Sequence, residues 1–475
     1  MAVVPRPAGL RRAGAEGRRA DPDPQVGATA RNPHAAVTMP STPTDEPGRL
    51  ATREARNTFW LECHQIVLRV GWIFKTETII MPAVLDAVVD SGFLRGLLPV
   101  LNRGGQSVPP LFFAGALARR PVKKWSLVRT SLAMAACFAA LAAVWGPLEA
   151  GRPDLLAAVF LVLYALFSIT NGLNQLVGAA LQGKLVPPGH RGRALVVSVT
   201  IGSAAAIAAA ILLLGPWLGA PGGFQKIFAT TAAFFGLSAL IPPLLDEPPD
   251  EVGPAGAAPT SSRLAAIRHT VGDWRRTLVS DPALVRLAVV AACFSAVIML
   301  FPHYQAFARD RLGSAIGSLL TWVVVQNAAT AAASVVAGPV ADRRGTKIVL
   351  VGLVALSALT PLVVTVLSLV PHAVAARWFW IVYAPLGLNP ISLKLFTNYA
   401  LEIAPGAAEH PRYVSVVGAA LAAPFVISPV VGWAVDVIGF RPVFVAGAAV
   451  IAAGAAVALG LPEPRENGLG TPSET

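Results

Sequence analysis

Charged side chains make up only 13% of this 475-residue chain, about half the roughly 25% usual in soluble domains. So little charge cannot coat a water-facing globule. Cysteine is scarcer still. Cys63, Cys137 and Cys293 stand alone, with neither metal-ligand spacing nor the pairs of a disulfide framework, which leaves them as small packing residues. No G-x-x-x-x-G-K-[ST] phosphate loop occurs, so ATP-driven pumping by this chain is excluded. Paired His or Asp residues that could converge for catalysis within apolar runs are missing as well. An enzyme is therefore not expected, and no metal or organic cofactor is called for. The ten-residue alternating segments of a membrane β-barrel are also absent.

Apolar residues are what the chain has in quantity: 55% of positions, with a mean hydropathy of +0.61. The runs from Ala194 to Ala220 and from Val349 to Val370 carry no charge. Each exceeds the roughly 20 residues that cross a hydrocarbon core. In lipid the backbone must satisfy its own hydrogen bonds, so such runs are helices. Six spans are expected near 60–90, 94–118, 125–146, 153–183, 194–219 and 224–245, and six more near 286–308, 313–340, 348–370, 375–403, 413–437 and 442–461. The fold class is an all-α integral membrane protein of twelve transmembrane helices in two pseudo-symmetric six-helix bundles, 57–245 and 286–462. A cytoplasmic linker, 246–285, joins them. Residues 1–56 and 463–475 read as disordered tails by composition. Arg11-Arg12 has no apolar stretch behind it, so it is not a twin-arginine signal. Met39 is a plausible true start, which would make residues 1–38 dispensable.

Net charge is +12, yet no basic soluble domain exists to bind nucleic acid. Lys and Arg instead gather in the even-to-odd loops: Arg119, Arg120, Lys123, Lys124, Lys184, Arg191, Arg193, four linker arginines, Arg343, Arg344, Lys347 and Arg412. The richer side faces the cytoplasm. A multi-pass protein of the cell membrane with both termini inside is expected.

The halves repeat each other. Pro82 and Asp90 match Pro302 and Asp310 at an offset of 220, Asn171 and Pro187 match Asn389 and Pro405 at 218, and Arg193 matches Arg412 at 219. Duplicated halves facing each other are the build of many secondary transporters, with the substrate between them.

Between spans eight and nine lies Gly338-Pro-Val-Ala-Asp342-Arg343-Arg344-Gly345-Thr-Lys347. This stretch resembles the cytoplasmic loop motif of the major facilitator superfamily, G-x-x-x-D-R-x-G-R/K-R/K. The resemblance covers about residues 58–462. It implies the facilitator fold and alternating access between two bundles, and it names no substrate. It also implies a charge relay in the C-terminal half, in which Glu402 and Arg412 join Asp342 and Arg343. The N-terminal half departs from the pattern: Arg119 stands where the acid belongs, Gln182 lies near the place of the partner Glu, and Arg193 remains. Two readings of this basic cluster stay open. It is solvated by anionic lipid headgroups, or it is met by acids beyond the sixth span, Asp246, Glu247, Asp250 and Glu251.

Intramembrane charges are expensive and mark function. Glu77 is the candidate for proton coupling. It would otherwise neutralise Lys75 or Arg69, although a spacing of two sends Lys75 to another side of one helix. Candidates for the substrate cavity are Lys75, Asn171, Asn174, Gln175, His303, Tyr304, Gln326, Asn327, Asn389 and Lys394, with Arg103 and Arg129 weaker. The amides also serve to join helices, and His303-Tyr304 also fits an interfacial anchor. Pro109-Pro110, Pro242-Pro243 and Pro302 are expected kinks. Together these features lead to a monomeric secondary transporter of a small-molecule substrate in contact with membrane lipid, with H+ as the candidate coupling ion and export as one of the two directions open to it. The alternative is a transport-inactive receptor or sensor on the same fold.

Overall fold

The computed structural model describes residues 46–250, 263–406 and 409–464. Glu46–Phe74, continued by Ile80–Asp86, forms the first span, and Gly92–Ala118, Lys124–Gly151, Pro153–Leu185 and Pro188–Ala209 begin the next four. The sixth is Gly223–Ala239. After a separate helix, Arg263–Ser280, come Pro282–Leu312, Ser318–Arg344, Thr346–Leu367, the broken tenth span ending in Asn389–Ile403, the broken eleventh from His410–Ala422 to Ser428–Ile438, and Phe440–Leu459. Ten of these stretches are long and apolar enough to cross a membrane. The first two spans fall outside that group, and they carry the charges of the candidate site.

Local chemistry sets the ends. Asp281 caps the seventh span by accepting from the N–H groups of Ala283 and Leu284, with Pro282 in the first turn, where its missing N–H costs nothing. Gly313 closes the same helix at φ 55°, a conformation open to glycine at little cost.

Three expectations change. Helix begins at Glu46, so residues 46–56 are not tail, while the Met39 start lies outside the described residues. The linker contains a helix. Helix continues through Pro109, Pro110 and Pro302, and the interruptions fall elsewhere: at residues 75–79, at the π turn Ala210–Leu214, and at the 3-10 turns Phe379–Val382 and Ala423–Ile427. Pro242 and Pro243 lie in the 3-10 turn that ends the sixth span.

Small residues bring helices into backbone contact. A Cβ on Gly92 would sit 2.2 Å from the carbonyl oxygen of Gly432, and one on Gly96 2.4 Å from that of Ser428. Spans two and eleven, from opposite halves, are therefore pressed together at the end away from the linker. The other end of the second span is different. All five residues from 112 to 116 are exposed, more than the 3.6 of one full turn. Leu117, just beyond this stretch, is buried in a cluster with Leu61 and Leu127.

Candidate functional site

The break after Phe74 builds the centre of the site. With helix ended at Phe74 and resumed at Ile80, Lys75 and Glu77 are no longer held on different sides of a cylinder. Lys75 Nζ donates to Glu77 Oε1 at 2.6 Å, and the lysine is fully buried. The expectation that the pair points apart is thus overturned, because it assumed continuous helix. Lys75 also lies 3.8 Å from the Trp72 ring centre and 4.7 Å from that of Phe167, where the ring faces attract a cation. Asn102 and Arg103 face the Glu77 carboxylate, and Asn102 is held by Tyr164 and Gln106. From the same break Thr78 donates to Gln326 Oε1 at 2.6 Å, tying span one to span eight across the halves.

The other candidates divide. Asn171 is buried with its amide nitrogen unpartnered and stands one turn from Gln175. Asn174 turns away to Thr130 and Ser131 of the third span, which makes it helix glue rather than cavity wall. Asn327 folds back onto its own helix, and Asn389 donates to Leu386 while its oxygen stays buried and unpartnered. His303 and Tyr304 are fully buried, so the interfacial-anchor reading fails. Arg69 and Lys394 have no hydrogen-bond or ionic partner among the described residues, while Arg103 has the Glu77 carboxylate beside it. A charge at the bilayer centre costs about 2.5–3.5 kcal/mol on insertion scales, so Arg69 and Lys394 are candidates for function.

A second set of charges, missed in the sequence, locks the end away from the linker. Arg95 donates to Asp86 at 2.8 Å and Asp90 at 3.1 Å, and reaches Asp436 of the eleventh span at 3.7 Å. Arg309, from the seventh span, answers with Asp86 at 3.3 Å, Asp90 at 2.7 Å and Asp310 at 2.6 Å. The Asp436 carboxylate also takes the Gly92 N–H at 2.8 and 2.9 Å. Asp86 and Arg95 have side chains only 1% and 3% exposed, so this is a desolvated contact between halves, not a surface pair. The repeated Asp90 and Asp310 were the available signal, since both meet Arg309.

At the linker end of the N-terminal half, the acids beyond the sixth span sit on the basic cluster. Glu247, its side chain fully buried, accepts from the backbone N–H groups of Lys123 and Lys124 at 2.8 and 2.7 Å and from Lys184 Nζ at 2.9 Å. It occupies the N-terminus of the third span, where negative charge is favoured. Asp250 binds Lys123 and Lys184, and Asp246 meets Arg56 at 2.9 Å. Arg119 is exposed, and the side chain of Arg193 lies outside the described residues, as does Glu251.

In the C-terminal half Glu402 accepts from Thr346, and Arg412 pairs with Glu409 at 2.7 Å. The Asp342 side chain lies outside the described residues, and Arg343 is exposed. Gly338 borders open space, and Lys347 follows at the start of the ninth span. Gly345, at φ 93°, has room for no side chain because Glu463 Oε1 lies 2.6 Å from where its Cβ would be. Glu463-Pro464 repeats Glu247-Pro248 at an offset of 216, and both glutamates face the start of the third helix of their half. Glu463 is thus part of the bundle, not of the tail assigned to 463–475.

The hydrogen bond from Lys123, with Lys184 second, holds the Asp250 carboxyl below the ordinary aspartate value of 3.8. A depressed carboxyl stabilises the fold above its unfolded value, and that contribution is lost as pH falls through the lower folded value. Wild type should therefore unfold at a higher temperature than Asp250→Asn by a gap that is constant above about pH 5 and shrinks as the pH falls past 3.8. A gap that does not shrink in acid contradicts this.

The Major Facilitator Superfamily model matches residues 108–324. No curated protein sequence matches the chain. Solved structures do. A POT family transporter in complex with a thioalcohol-conjugated peptide superposes with a TM-score of 0.64 at 12% identity, covering 88% of this chain and 97% of its own. The crystal structure of a bacterial homologue of the human lysosomal transporter Spinster, inward-facing and unoccupied, gives 0.60 at 13%, covering 87% and 97%. A D-xylose–proton symporter gives 0.60 at 14%, covering 85% and 98%. At these identities the likeness is one of fold.

Proposed function

We infer that this chain, a member of the Major Facilitator Superfamily, is a secondary transporter that moves a small solute across the cell membrane by alternating access. One observation carries the reading. The halves are bolted together by buried charges at one end, while residues 112–116 of the second span are exposed through more than a full turn near the other. A carrier caught open to one face has that asymmetry, and a static receptor has no use for it. The excess of Lys and Arg at the linker end supports an inward-facing state with both termini cytoplasmic. The case for a transport-inactive receptor rested on missing N-half acids, and Glu247 and Asp250 supply acids there.

Proton coupling, in a monomer working in export, is assigned to the Lys75–Glu77 pair. It sits at a helix break that also touches the opposite half, through Thr78 and Gln326. Protonating Glu77 would release Lys75 and loosen that contact. The test uses spin labels at Arg152→Cys and Arg377→Cys, both exposed at the end away from the linker, in a background without the three native cysteines. In nanodiscs, two distance populations should exchange weight as the pH is lowered. Glu77→Gln should remove the pH response while keeping a folded, monodisperse protein. A single distance at every pH would sink alternating access; two populations that ignore pH would sink only the proton.

A further inference from the structure

We propose that the transported solute is an organic anion whose carboxylate or phosphate is held between Arg69 of the N-terminal half and Lys394 of the C-terminal half. This rests on the transport reading above and adds the substrate class to it.

The charge inventory of the central region is lopsided. Arg69, Lys75, Arg103 and Lys394 are the cations, and the acid among them, Glu77, already holds Lys75 at 2.6 Å. Glu62, two turns nearer the linker on the first span, has an interaction of its own. Arg103 shares Glu77 with Lys75, and two cations, Arg69 and Lys394, are left with no ionic partner among the described residues. Ionisable groups inside a membrane protein pair with one another or line a path for a charged ligand. Here the protein withholds the counter-charge.

Geometry favours Arg69 and Lys394 as the clamp. They sit on spans one and ten, in opposite halves, near enough for each charge to be felt by the other. Arg69 is partly buried, with its Nε enclosed and unpartnered. Its stem lies over Gly202 of the fifth span, where a Cβ would come within 3.0 Å of Arg69 Cδ; the glycine leaves room for the guanidinium to reach inward. Lys394 remains exposed. An anchored guanidinium offers a planar fork that fits a carboxylate or phosphate, and the flexible ammonium opposite supplies a point charge. Arg103, beside Glu77, is placed to take a second polar group of the same solute.

The arrangement also couples binding to movement. Two like charges on opposite halves resist approach when the site is empty. An anion between them converts that repulsion to attraction, so the loaded carrier can close at the linker end.

The test is thermal unfolding of the purified protein against glycerol 3-phosphate, citrate and lactate, with glycerol, glucose and choline as controls at matched ionic strength. At least one anion should stabilise wild type saturably, and the controls should not. Arg69→Gln and Lys394→Gln should each weaken the response about tenfold or more, while Lys394→Arg keeps it. Preference among the three anions separates phosphate from carboxylate recognition. No anion response, stabilisation by a neutral or cationic probe, or an anion response unchanged in both Gln variants overturns the assignment. The Arg152/Arg377 spin pair keeps the two readings apart. If it still reports two states while no anion binds, only the substrate class fails.

Discussion

Arg95→Ala is expected to throw the gate open and abolish transport. The arginine reaches three carboxylates, and its closest partner, Asp86, is 1% exposed. Removing one member of a buried pair leaves the other uncompensated, at a cost of about 3–5 kcal/mol. Arg309 remains at 3.3 Å from Asp86, but it already serves Asp90 and Asp310. The penalty falls only on the state in which Asp86 is buried, so it acts on the conformational equilibrium. At 1.4 kcal/mol per factor of ten, the closed-gate population should drop by about two to three orders of magnitude. The Arg152/Arg377 spin pair should then move to its longer distance at all pH values. Asp86→Asn added to Arg95→Ala removes the stranded charge and should restore much of the short-distance population, since deleting both partners costs far less than deleting one. An unchanged distance in Arg95→Ala would mean that the gate is held by the Gly92–Gly432 backbone contact rather than by charge.

That gate also marks the limit of what could be read from the sequence. Twelve spans, two halves and the loop motif were legible because each is a local pattern: apolar length, turn chemistry, a motif between known helices. Lys75 and Glu77 were picked out for a local reason too, as charges inside an apolar run. Their pairing was misread because helix was assumed through residues 75–79, and nothing in the local sequence there, neither Gly nor Pro, announces a break. Asp436 and Arg95 lie 341 positions apart in the chain. Their meeting is set by helix packing at Gly92 and Gly432, which no periodicity encodes. Internal repetition was the usable long-range signal. It reached Asp90 and Asp310, and it would have reached Glu247 and Glu463 had the Glu-Pro dipeptides been compared across the halves.

Glu247→Ala should be among the most destabilising single changes in the N-terminal half. The side chain is fully buried and gathers three donors, two of them backbone N–H groups that open the third span. Losing the cap alone costs about 1 kcal/mol. Losing the charge also takes from Lys184, which is 15% exposed, its buried ionic partner and leaves it Asp250 and the Pro121 carbonyl; breaking a buried pair brings the total to about 3–5 kcal/mol. By contrast, the Arg412–Glu409 pair is largely exposed, and Glu409→Ala should cost no more than about 1 kcal/mol. Thermal unfolding in detergent should therefore rank Glu247→Ala far below wild type and Glu409→Ala close to it. Glu247→Gln keeps an acceptor for the backbone and should fall between. Glu463→Ala offers the sharper comparison. Glu463 faces the matching helix start in the other half, but its Oε1 is buried without a partner, and no lysine among the described residues pairs with it. Its removal should cost less than that of Glu247. If both variants lose equal stability, the helix N-terminus supplies most of the energy at both sites; if only Glu247→Ala falls, the lysine pair has taken over the role that acids in the loop play elsewhere in the superfamily.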